Sequence, residues 1–405
     1  MNSSDFRNAA AAGLPPLDLN ELSIHAYARP DGSGGVRNHV LVLPASACAT
    51  RVCQQIVQRV PGAVTLDNHA GCGQSGKDLA QTLRTLSGFG LNANVAAVMV
   101  VGLGCEALQI DEITTALAGS GKPVAALVIQ DRGTTRTIEK GEALCRKMVG
   151  DAARLTRTPA SLRSLTVGLQ CGGSDATSGL VANPVLGMVS DRLVAAGATV
   201  MLAETPECIG AETVLMERAT DPAVASRIEA VVGRFEERLR ATGEDFLGSQ
   251  PGPGNIAGGI TTIEEKSLGC VRKAGVSPIS GVLEYAERPP ASGLYLMDTP
   301  GLDNESVTGE VAGGCQIIVF TTGRGSALGC PIAPVVKVTA NGRTFERMRD
   351  DIDVGLGEVV EGADSMESAA QRLWCELLLV AEGKLTRSEQ HGFDEFAIWR
   401  IGPSY

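Results

Sequence analysis

A chain of 405 residues is too long for one ordinary core, and 44% hydrophobic residues with 49 glycines describe a folded protein rich in tight loops, not a disordered one. A net charge of −11 without a basic stripe argues against a nucleic-acid partner, although a few clustered arginines and lysines could still bind a small anion. No apolar run approaches membrane-spanning length, the N-terminus has no basic-then-apolar leader, and eleven cysteines lack a framework spacing, so we expect free thiols in a reducing, cytoplasmic setting.

Residues 1 to about 22, rich in Ala, Pro and Asn, read as a loose tail. The turn signal Pro-Asp-Gly follows, bracketed by Arg29 and Arg37, which either solvate the loop or grip a carboxylate. Apolar runs at 39–45, 63–67, 95–101 and 124–129 read as strands, separated by helical spacing. This alternation predicts a parallel sheet with right-handed crossovers. A Pro- and Arg-containing seam at 155–164 divides the chain, giving an expected N-terminal α/β domain at 23–157 and a C-terminal one at 158–405.

The second half repeats the pattern. Strands are expected at 165–169, 199–203, 294–297, 316–321 and 333–339, with a Gly- and Pro-rich connector or lid at 248–259. An amphipathic helix is expected at 365–380, and the apolar tail EFAIWRIGPSY should pack on the domain or on a partner chain. The fold class is therefore α/β, with two parallel-sheet domains. In such sheets ligands bind outside the carboxyl ends of the strands.

Four strand ends carry residues that can bind metal or move protons: His69 with Cys72, Cys105 with Glu106, Cys171 with Asp175, and Glu204 with Glu207. Cys171-Gly-Gly-Ser-Asp175 is the leading metal candidate, because glycines admit a ligand close to the backbone while thiolate and carboxylate bind a divalent cation. Glu204 could complete the set. A helix cap by Ser174 or Asp175 fits equally well. Of four histidines only His69 lies in a Gly-rich strand-end loop, and it is the candidate base or ligand. Lys266 and Lys273 are alternative bases if burial depresses them, or plain surface charges beside Glu264 and Glu265. Cys270 and Cys315 read as core. No GxGxxG follows the first strand and no GxSxG is present, which argues against a dinucleotide enzyme and a serine hydrolase.

The segments RPDGSGGVRN, HAGCGQSG, VVGLGCE, CGGSDATSGLVANPVLG, EEKSLGCVRKAG, VAGGCQIIVFTTGRGS and EFAIWRIGPSY together resemble the altronate/galactarate dehydratase family, from about residue 25 to the C-terminus. The resemblance implies a dimerising middle domain and a variant Rossmann-like C-terminal domain with a divalent-metal site, for Fe²⁺ first and Mn²⁺ as the alternative. It implies β-elimination of water from a sugar acid such as altronate or galactarate to a 2-keto-3-deoxy acid, in a homodimer. Family members begin with a small SAF-type β-clip domain for which this chain shows no room, so that domain is expected either as a separate small SAF-domain subunit or to be dispensed with. The large subunit of sulfolactate sulfo-lyase is also similar, so sulfite is the alternative leaving group. A non-catalytic sugar-acid-binding subunit is the competing class.

On that basis the metal is expected on some of Cys171, Asp175, Glu204 and His69. Lys266 or His69 is the expected base, and Arg37, Arg272, Thr322 and Arg324 are expected to hold the substrate's carboxylate and hydroxyls.

Overall fold

The computed structural model describes residues 22–243 and 250–405. The expected N-terminal tail, but for Leu22, and the start of the 248–259 connector lie outside the described residues. Two parallel sheets and one small antiparallel sheet form the frame.

The antiparallel sheet consists of β1 (Ser23–Ala28), β2 (Gly34–Gly35) and the later strand Thr158–Ser161. The sequence reading misses it. It joins the start of one expected domain to the start of the next, a long-range pairing that local periodicity does not announce.

The first parallel sheet holds β3 (His39–Pro44), β4 (Ala63–Thr65), β5 (Val95–Gly102) and β6 (Val124–Val128) in the order β4-β3-β5-β6. All eight positions of β5 are buried, as expected for an apolar strand covered by helices on both faces. Its helices, Ala47–Arg59, Gly76–Leu91, Ile110–Ala118 and Thr134–Ala152, lie between and after its strands.

Numbering Thr158–Ser161 as β7, the larger sheet contains β8 (Thr166–Gly172), β9 (Thr199–Leu202), β10 (Ile279–Leu283), β11 (Gly293–Met297), β12 (Ile317–Thr322), β13 (Val335–Thr339) and β14 (Val354–Gly355). Their order is β10-β11-β9-β8-β12-β13-β14, and every pairing is parallel. Setting aside β10 at the edge, this is the doubly wound Rossmann order, with β8 as the first strand. The chain leaves β8 toward β9 and later returns on the other side as β12. The topological switch point therefore lies between the loops that follow β8 and β12.

The two parallel sheets share a core. Leu41, Leu86, Phe89 and Val98 from the first pack in one cluster with Val307, Val311, Ile318 and Phe320 from the second. The C-terminal tail closes this cluster. Phe396 and Ile398 are buried there, Phe89 and Phe396 meet edge to face at 5.1 Å, and Arg400 pairs with Asp78. The tail thus packs on its own chain. Among the described residues no helix is long and apolar enough to cross a membrane.

Candidate active site at the carboxyl ends of the large sheet

Cys171 is the penultimate residue of β8, and Gly172 and Gly173 let the chain turn sharply away from it. The next strand, β9, ends two residues before Glu204. That glutamate is one of two non-glycine residues with positive φ among those described, at φ 69° and ψ 71°. Such a conformation costs on the order of 1–3 kcal/mol and must be held from outside. Thr299, just past β11, holds it: the Glu204 N–H donates to Thr299 Oγ1 at 2.7 Å, and the Thr205 N–H donates to the Thr299 carbonyl at 3.0 Å. Asp298 accepts from Thr205 Oγ1 at 2.7 Å and pairs with Arg234 at 2.5 Å. The Asp298-Thr-Pro-Gly301 stretch is thus a clamp on the Glu204 loop.

The clamp aims the Glu204 carboxylate at Cys171. Its Oε2 accepts from the Cys171 N–H at 3.1 Å and lies 3.3 Å from Cys171 Sγ. A third element completes the group. Helix Ile263–Cys270 and the turn Val271–Ala274 carry Lys266, Cys270 and Lys273 at four- and three-residue spacing, hence on one face. Lys273 Nζ lies 3.0 Å from Cys171 Sγ, 3.0 Å from Cys270 Sγ and 2.9 Å from Glu204 Oε2, and the two sulfurs are 3.4 Å apart. Beside them Lys266 Nζ pairs with Glu207 at 2.7 Å and reaches Gln250 Oε1 at 3.2 Å.

Burial sets the electrostatics. It would depress Lys273, but Cys171, Cys270 and Glu204 outweigh it, so this fully buried lysine stays charged and well above its ordinary range. Burial raises the Glu204 carboxyl while Lys273 opposes the rise. Hydrogen bonding to Cys270, then burial, pushes the Cys171 thiol well up. For Lys266 burial is again outweighed, here by Glu207, and its pKa rises. That is the opposite of the depression expected of a lysine base, because the sequence cannot show its carboxylate partner.

The donor set fits a metal. Ligand atoms of Cys171, Glu207 and Cys270 lie within 4.8 Å of one another, all three residues are buried, and Glu207 Oε2 has no hydrogen-bond partner. Two sulfurs and a carboxylate suit a borderline-soft divalent ion.

Cys270, read as core from the sequence, is therefore corrected to a member of the site. Its signal was the spacing to Lys266 and Lys273, but its meeting with Cys171, 99 residues away, belongs to the sheet order. Asp175 lies outside the ligand group. Its Oδ1 accepts from the Ser178 N–H and Thr177 Oγ1 at 3.0 and 2.7 Å, and Oδ2 accepts from Asn341 at 2.8 Å, so it caps the turn into the next helix. His69 stands with its ring 79% exposed beside Asp67, and no contact links it to the Cys171 cluster among the described residues.

Arg37 is spent on architecture. It forks onto both Glu389 oxygens at 2.6 and 2.8 Å and donates to the carbonyls of Val36, Val380 and Lys384. Thr322 is buried, and its Oγ1 accepts from the Gly325 N–H. Arg324 is exposed, with its side chain against Gly173 at the switch point, and Arg272 is exposed on the lysine-bearing turn. The 250–260 segment folds against the loop after β8, with Asn255 donating to the Ser174 carbonyl and the Ala176 N–H to the Gly258 carbonyl. A 1220 Å³ cleft opens nearby past Thr177 and Asn341, but no residue of the thiol–lysine group lines it. Chemistry, rather than cavity size, marks the buried group as the candidate site.

Known proteins are similar to this chain in sequence. The family described as "D-galactarate/Altronate dehydratase, C-terminal" matches residues 162–404, and "D-galactarate dehydratase/Altronate hydrolase, second domain" matches 26–153. The chain is 36% identical over 387 residues to (2R)-sulfolactate sulfo-lyase subunit beta of Chromohalobacter salexigens, covering 95% of this chain and 99% of that one. It is 35% identical over 398 residues to altronate dehydratase of Bacillus subtilis, covering 96% and 79%. Galactarate dehydratase (L-threo-forming) of Escherichia coli is 32% identical over 417 residues, covering 96% and 78%. These relatives are lyases, and the match runs through both halves of the chain and every strand of the candidate site; this protein belongs to the D-galactarate/altronate dehydratase family of lyases.

Proposed function

We propose that the protein eliminates water across C2 and C3 of a small sugar acid of the altronate or galactarate kind, yielding a 2-keto-3-deoxy acid. The observation that carries this reading is the buried meeting of two cysteines, two glutamates and two lysines at the carboxyl ends of adjacent strands, in a chain of this family. Cys171, Cys270 and Glu207 would hold a divalent ion, iron(II) first and manganese(II) second, with Glu204 adjoining through the Cys171 N–H. When bound, such an ion supplies a Lewis acid for the enediolate formed on loss of the C2 proton.

The chain's own residues do the rest. Lys273 neutralises the buried negative charge. Lys266 takes up the C2 proton once Glu207 is drawn from it, since the intact pair keeps that lysine charged. Arg324 and Arg272 offer exposed guanidinium groups to the substrate carboxylate. Thr322 shapes the β12 turn that presents Arg324.

A second reading, release of sulfite from sulfolactate, is supported by the match over 99% of the sulfo-lyase subunit. That relative's name, a subunit beta, supports testing a second subunit; we take a small SAF-type chain as the candidate and a homodimer as the proposed assembly of this chain. The test is keto-acid and sulfite release from altronate, galactarate and sulfolactate, with Fe²⁺ or Mn²⁺ under anaerobic conditions, with and without the small partner. Keto acid without sulfite supports the dehydratase. Sulfite from sulfolactate supports the second reading, and no product from any substrate despite bound metal leaves only a non-catalytic binding subunit.

A further inference from the structure

Elimination of hydroxide from carbon needs a proton donor at the departing oxygen, and the groups named so far are committed elsewhere. Lys266 is engaged by Glu207 and Gln250, and Lys273 by Cys171, Cys270 and Glu204. Glu310 turns into β8, accepting from the Leu169 N–H and from Gln170. One carboxyl at this end of the sheet has no such commitment. Asp303 opens helix Asp303–Ala312 after β11 and is partly buried, and its carboxyl makes no hydrogen bond or ion pair among the described residues.

Asp303 lies against the last residue of β8, directly after Cys171. A Cβ on Gly172 would stand 2.6 Å from Asp303 Oδ2 and 2.5 Å from the Phe320 ring. Only glycine there lets the carboxyl come this close to the strand that carries the thiol.

Resting on the lyase reading above, we propose that Asp303 is the general acid that protonates the leaving 3-hydroxyl. The base takes the C2 proton, the C3–O bond breaks with its electron pair going to oxygen, and that oxygen takes the Asp303 proton and leaves as water. The carboxylate is then reprotonated from solvent. A helix N-terminus normally favours an ionised acid, but here burial, then Glu204 and Glu207, hold the Asp303 carboxyl up to about 7 against the pull of Lys273 and Lys266. It can therefore carry a proton near neutrality.

The experiment compares leaving groups in the full chain loaded with metal. Asp303→Asn should lower water elimination by about 10²–10⁴-fold, while fluoride release from the 3-deoxy-3-fluoro analogue, which needs little protonation, stays within about tenfold of wild type. Asp303→Ser, smaller beside Gly172, goes through the same two assays if thermal unfolding shows that the amide perturbs the fold. Equal losses for both leaving groups, or no loss for water, overturn the assignment while leaving the lyase reading in place. A wild-type protein that eliminates nothing overturns both.

Discussion

Lys273 Nζ lies 3.0 Å from Cys171 Sγ inside a site from which both side chains are shut off from solvent. A buried ammonium survives there only because Glu204, at 2.9 Å, and the two sulfurs replace water.

Lys273→Met should therefore leave Glu204 buried and unpaired, at a cost of about 3–5 kcal/mol. Replacing both partners, as in Lys273→Met with Glu204→Leu, should recover part of that loss, although it destroys the site. Urea unfolding of the two variants checks this. A single variant as stable as wild type would mean the pair does not hold the loop.

Glu310 makes stability depend on pH. Its carboxyl is fully buried and pushed up to about 8, chiefly by burial. The folded state thus binds a proton more tightly than the unfolded chain, and stability falls as pH rises from about 4.5 to about 8. Glu310→Gln should remove that slope, gaining on the order of 5 kcal/mol relative to wild type at pH 8.5 and little at pH 5. Denaturation midpoints at the two pH values supply the comparison.

Thr299 should behave as a positioning residue. Thr299→Val removes the acceptor for the Glu204 N–H, leaving a strained residue with an unpaired buried donor, and should cost about 1–3 kcal/mol. The Glu204 carboxylate would then swing from Cys171, so turnover should fall more than KM rises. Thr299→Ser keeps the hydroxyl and should restore both stability and turnover.

Two substitutions separate metal ligand from turn cap. Cys270→Ser should lower metal affinity by at least about tenfold, read as metal content of anaerobically purified protein. Asp175→Ala should keep the metal but lose about 1–2 kcal/mol, because it removes the cap on Ser178. Metal lost from the Asp175 variant and kept by the Cys270 variant would return Asp175 to the ligand set.

The sequence by itself determined the layers. Apolar runs such as Val95–Gly102 and Ile317–Thr322 are long, β-branched and bounded by glycine, so their strand character and the polar ends that follow them are local properties. The tail's apolar side chains likewise required burial, and Phe396 and Ile398 receive it. Tertiary structure decided which of those ends meet. Cys270 reaches Cys171 only because the large sheet places β8 between β9 and β12 and packs the lysine-bearing helix over them. Arg37 faces Glu389, 352 residues away, and Asp175 meets Asn341, 166 away, so arginine and carboxylate that look free in sequence are spent on architecture. Strand and helix periods are set by neighbours a few residues apart. A side chain's charge state and task are set by whichever distant group the fold brings within about 3 Å, where its hydrogen bonds and desolvation are decided.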